Sequence, residues 1–160
     1  MPLVNLDYDA ADEPRLALPL PPGWRLDSAP MSPIVRAVST GPGREDNRYQ
    51  PKAVLTLENN SELVDTPEEA IDAQIVGVSR IAVVVDDIRG TTCGYSSAIV
   101  TYDTGVDNHG ATCLIVAGWG SRNTLWSATL TVQGFDPHNP DYVSEKDSIL
   151  SGFQFAFTGD

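Results

Sequence analysis

The chain has 160 residues, 41% of them hydrophobic, with 10 Lys and Arg against 22 Asp and Glu for a formal net charge of −12. That length suits one domain with a real core, and that acidity repels phosphate backbones and anionic membrane surfaces, which argues against nucleic-acid binding. No apolar run approaches the roughly 18 residues of a membrane span, and the opening MPLVNLDYDAADEPR lacks the basic and apolar regions of a signal peptide.

Residues 1–14 carry no apolar periodicity and are expected to form a poorly ordered, flexible acidic arm. Leu16, Leu18 and Leu20 then recur with the two-residue period of a strand. Pro19 donates no ladder hydrogen bond, which assigns that strand to a sheet edge, and Pro21-Pro22-Gly23 stops it before Trp24. A second strand is expected over 33–40, a charged, turn-rich loop over 41–51, and a return strand over 52–59. In DTPEEAIDAQIVGVSR, Thr66 is placed to cap a helix, Pro67 suits its first position, and Glu69 completes a capping box. Ile71, Ile75 and Val78 form its apolar stripe.

The second half is β-rich. Residues 81–88 are strand-like by β-branched content, and 95–103 and 111–119 flank a loop of hairpin composition. In the next strand, 125–133, Trp126, Ala128, Leu130 and Val132 share one face. Asn139 and Pro140 open a second helix that Gly152 stops, and 153–157 close as a strand. The order implies an α+β fold, an antiparallel β-sheet packed against two α-helices.

Taken together, LPLPPGW at 18–24, the strands 33–39 and 53–57, TPEEAIDA, CGYSSAIVTY at 93–102 and LWSATLTV with SILSGFQF resemble the LpqN/LpqT family of mycobacterial lipoproteins. The resemblance covers about residues 15–157. It implies a PsbP-like fold, a single domain over 15–160 and a non-enzymatic binding or accessory role in the cell envelope, associated in some members with lipid export and cell-wall building. Its lipoprotein members carry an N-terminal signal and an acylated cysteine, whereas the cysteines here are Cys93 and Cys113. The alternative is a cytoplasmic partner-binding protein, a secretion chaperone or adaptor on the same fold. Location follows the same division: envelope or secreted by resemblance, cytoplasmic if Met1 is the native start.

No residue set assembles into a catalytic site. His109 lies near Asp103, Asp107 and Cys113, and His138 lies between Asp136 and Asp141, but neither trio has metal-ligand spacing. Ser96, Ser97 and Ser121 lack a nucleophile elbow, and Cys113 reads as a small apolar strand residue. GPG at 41–43 and GWG at 118–120 open no helix, so neither cradles phosphate. Asp86 and Asp87, adjacent on a strand, point to opposite faces. No catalytic residue, cofactor or metal is therefore expected. The hairpin register sets Cys113 opposite roughly Ile99 to Thr101, too far from Cys93 for a disulfide. Trp24, Trp119, Trp126, Tyr49, Tyr95 and Tyr102 remain. They read either as core or as an apolar, aromatic surface for a protein partner or hydrophobic ligand, with Trp119 as the first contact candidate.

Overall fold

The computed structural model describes residues 2–6, 12–27, 32–43, 50–106 and 109–157. Twelve elements follow in chain order: β1 (Leu3–Asn5), β2 (Arg15–Pro19), β3 (Arg25–Leu26), β4 (Val35–Thr40), β5 (Lys52–Asn59), α1 (Pro67–Ser79), β6 (Val83–Thr92), β7 (Tyr95–Asp103), β8 (His109–Trp119), β9 (Leu125–Phe135), α2 (Pro140–Gly152) and β10 (Gln154–Ala156). They build two antiparallel sheets. The larger has seven strands in the order β3-β4-β5-β9-β8-β7-β6, and the smaller has three in the order β1-β2-β10.

The α+β class is as expected, and both helices begin where their caps predict. Thr66 Oγ1 accepts from Glu69 N–H, and Asn139 Oδ1 accepts from Asp141 and Tyr142 N–H. Glu69 reaches back to the Asp65 amide rather than to that of Thr66, so its box closes one residue early.

Two expectations are corrected. The sheet is not single: the last strand, β10, pairs with β2 and leaves the main sheet. Nor is β2 an edge, because it lies between β1 and β10. Pro19 is compatible with that central place for a local reason. Leu20 N–H bonds Pro2 and Leu16 C=O bonds Leu6, so the even-numbered residues of β2 face β1. The missing Pro19 N–H faces the β10 side, past the last β10 pair at Ala17–Gln154.

The arm expected over 1–14 is also corrected within its described residues. Leu3–Asn5 add β1 to the small sheet, and Asp12 and Glu13 are buried. A three-residue edge strand needs only backbone pairing, which leaves no periodic trace in sequence. Glu13 is held by Arg36, whose two terminal nitrogens donate to its carboxylate oxygens at 3.0 and 2.9 Å. Of the 41–51 loop, residues 44–49, including Tyr49, lie outside the described residues, as does Asp107 in the β7–β8 turn.

The seven-stranded sheet carries a core on each face. Ala98, Val100, Cys113, Ile115 and Ala117 pack against Ala70 and Ile71 of α1. Leu55, Leu57, Leu114, Val116, Trp126, Leu130 and Val132 face Tyr142, Ile149 and Leu150 of α2 and the small sheet's Leu16, Leu18 and Phe155. β8, covered on both sides, is buried without interruption from Ala111 to Gly118. An aromatic trio seats the small sheet on the large one: Tyr95, Phe155 and Phe157 meet edge to face with ring centroids 5.2–5.6 Å apart. Gly118 lies beneath this trio, where a Cβ would come within 2.7 Å of the Tyr95 ring.

Candidate binding groove

Neither helix covers its whole face of the sheet. On the α2 side the helix packs over β9 and the small sheet's β2, while β7 and β6 extend beyond it. The step between helix and bare sheet forms a groove of about 610 Å³. Ile99 and Leu114, directly paired across β7 and β8, form its apolar floor together with Thr101 and Thr112. Leu150 and Phe153 back it, and Lys146, Asp147 and Ser151 of α2 line the wall.

Sequence builds this step simply. Residues 146, 147, 150 and 151 recur at helical spacing along one flank of α2, whose buried stripe contains Tyr142, Ile149 and Leu150. The β6–β7 turn closes one end. Cys93 and Gly94 adopt positive φ of 54° and 86°, the signature of a two-residue hairpin. The Cys93 thiol donates to Phe153 C=O at 3.8 Å, tying that turn to the end of α2. The lining is thus mainly hydrocarbon, with threonine hydroxyls on the floor and one cation and one anion on the wall.

Other reactive side chains lie elsewhere. Cys113 pairs with Val100, inside the predicted range, and faces α1; it is fully buried, and burial pushes its thiol up to about 12. Both cysteines are free. Asp86 and Asp87 do diverge: Asp87 takes both Nε and a terminal nitrogen of Arg89, and Asp86 accepts from the Asp87 amide. Ser96 donates to Glu68 at 2.8 Å, which lowers the pKa of that carboxyl. His109 and His138 line a second cleft of about 580 Å³ with Tyr102 and Asp103. There, His109 Nδ1 lies 2.9 Å from Thr104 Oγ1, its ring meets Phe135 edge-on, and desolvation lowers its pKa. Among the described residues, no three His, Cys, Asp or Glu side chains are grouped to hold a metal ion.

Among the described residues, the aromatic rings do not gather into one surface. Trp24 and Trp126 are buried, and Tyr95 belongs to the aromatic trio. Trp24 Nε1 bonds Glu145 of α2, and its ring lies so close to Gly41 that a Cβ there would come within 2.4 Å. The Pro-Pro-Gly turn therefore delivers Trp24 into the core under α2. Trp119 alone among the tryptophans is exposed, at 42%, where it ends β8 opposite Leu125 and away from the groove. The groove residues Ile99, Leu150 and Lys146 were missed as site candidates. The available signal was Ile88 and Ile99, apolar side chains on strands whose opposite face already supplied Val84, Ala98 and Val100 to a core.

No helix among the described residues is long and apolar enough to cross a membrane. No protein-family model and no curated protein sequence matches the chain. A solved structure does: LpqN of Mycobacterium tuberculosis, described as involved in cell envelope biogenesis, superposes with a TM-score of 0.72 at 13% identity, over 97% of this chain and 91% of that one. This chain therefore has its overall fold in common with LpqN.

Proposed function

We propose that the protein is a non-enzymatic binding component of the cell envelope that takes an elongated hydrophobic ligand into the groove beside α2. The observation that carries this reading is the groove itself, a concave, largely apolar cleft within the usual size range for small-molecule sites. The fold held in common with LpqN supports an envelope-associated role. The non-enzymatic half rests on where reactive groups lie: Cys113 is buried on the other face, and the one thiol in the groove lining, Cys93, is held by the Phe153 carbonyl with no histidine beside it, the other polar lining being threonine, serine, glutamine, Lys146 and Asp147.

The test combines native extraction with a defined probe. Protein purified from native cells is extracted with organic solvent for mass spectrometry, and the delipidated protein is titrated with a fluorescent long-chain fatty acid. Ile99→Asp places a charge on the half-exposed floor, and Ser151→Trp narrows the cleft from the exposed side of α2. Each should weaken probe binding about tenfold or more, the equivalent of roughly 1.4 kcal/mol. Unchanged affinity in both folded variants, or a protein that neither carries nor binds an apolar ligand, overturns the reading. Robust turnover of a substrate, abolished by one polar substitution, overturns its non-enzymatic half.

A further inference from the structure

The main sheet ends on one side in a long bare strand. β6 has ten residues, nine paired with β7, and nothing pairs with its outer edge among the described residues. Its apolar side chains are left in water: Val83 is 69% exposed, Val85 67% and Ile88 57%. Ile88 also ends a row. Ala37, Leu55, Leu130, Leu114, Ile99 and Ile88 lie directly opposite one another across β4, β5, β9, β8, β7 and β6, on the α2 face. The first four are buried, and the last two emerge into solvent.

Exposed edges are ordinarily blunted by bulges and charges. Here the bulge lies between Val84 and Asp86, so 86–92 remains a straight run. Its charges are of both signs, at a spacing that complements itself. In a two-residue hairpin the flanking residues, Thr92 and Tyr95, form the closing hydrogen-bonded pair, so even-numbered residues of β6 bond β7. Asp87, Arg89 and Thr91 therefore turn their backbone groups outward, and the Asp87 amide accordingly bonds the Asp86 side chain instead of a strand. Asp87 and Arg89 lie on the α1 face, where Arg89 also bridges to Asp72 at 2.8 Å.

We propose that β6 is a self-association edge, on which two copies of the chain pair antiparallel about a two-fold axis at Ile88. In that register Asp87 stands opposite the partner's Arg89, and Arg89 opposite the partner's Asp87, each as an outward hydrogen-bonded pair. The two Ile88 side chains meet at the intervening pair, where antiparallel strands bring side chains closest. Moving the axis by one residue toward either neighbour sets Arg89 against Arg89 or Asp87 against Asp87, and directly opposed like charges destabilise a sheet. The self-complementary spacing is what selects a second copy over an unrelated strand. The axis runs perpendicular to the sheet, so the apolar rows join end to end and both grooves open on the same side. Two molecules of charge −12 also repel at long range, so association strengthens as salt screens that repulsion.

Sedimentation equilibrium of the full chain, at concentrations up to about 1 mM and at low and moderate salt, tests the proposal. The wild type should dimerise reversibly, with Asp87, Arg89 and Thr91 amides gaining hydrogen-exchange protection as concentration rises. Arg89→Asp should weaken the dimer about tenfold or more by opposing carboxylates at both pairs. The double variant Asp87→Arg, Arg89→Asp restores opposite charges and should regain it. Ile88→Lys, at an exposed position that leaves the monomer folded, should abolish it. A wild type monomeric throughout, a dimer indifferent to Arg89→Asp or Ile88→Lys, or a double variant that stays monomeric overturns the proposal.

Discussion

Removing the Glu13 carboxylate distinguishes a structural N-terminal segment from a dispensable one. Glu13 and Arg36 meet through two hydrogen bonds of 2.9 and 3.0 Å, with side chains only 3% and 13% exposed. Glu13→Ala leaves the Arg36 charge in that poorly hydrated place, and losing one member of a buried pair costs about 3–5 kcal/mol. For a chain of this size each kcal/mol moves the midpoint by about 2–4 °C, so a fall of about 6–20 °C is expected by calorimetry. The double variant Glu13→Met, Arg36→Leu removes both charges and should recover most of the loss, because apolar replacement of such a pair is often neutral or better. A single variant within about 2 °C of wild type would refute the reasoning and return residues 1–14 to the status of an accessory arm.

A thiol reagent at neutral pH should label one equivalent, Cys93, in the folded protein and two after unfolding; two in the folded state would show that Cys113 is accessible. Because burial raises Cys113 from the ordinary 9.0 to about 12, the folded chain keeps a proton that the unfolded chain has released. Stability should therefore fall as pH rises from 9 to 12, less steeply in Cys113→Ala. Trp126→Ala should cost about 3–5 kcal/mol, as truncation of a buried tryptophan does, and Trp119→Ala markedly less. Equal losses in melting temperature would mean that Trp119 is core.

Local signals carried most of the architecture. Thr66, Asn139 and the two first-position prolines mark helices because capping is decided within four residues, and alternation in 125–133 marks one buried face for the same reason. Pairing partners are not local. Nothing in Phe153, Phe155 and Phe157 says that their strand pairs with Arg15–Ala17, and nothing in Leu3–Asn5 announces an edge strand stabilised by its neighbour's backbone. The groove was illegible for a related reason. It is a step left where α2 ends and the sheet continues, so its floor residues look like any other strand residues. Trp119 drew attention as a ring beside a turn, and the structure leaves it exposed but apart from the groove. Of the six rings singled out, two are plainly core and one belongs to the aromatic trio.

The pairing of β2 with β10 has a consequence for how the molecule is made. It joins residues 15–17 to residues 154–156, and closing a loop of that span costs about 4 kcal/mol more than closing a two-residue hairpin. Short-range hairpins such as β6–β7 and β7–β8 lower that cost by forming first, and contacts of long sequence separation come late. On the ribosome the small sheet cannot assemble until β10 has emerged, long after β2. Until then α2 lacks the layer that clamps it, Leu16, Leu18 and Trp24 stay uncovered, and the groove has a floor without a wall. The groove is thus complete only once β10 has paired with β2, and the interval before closure is when this protein is most exposed to aggregation and proteolysis.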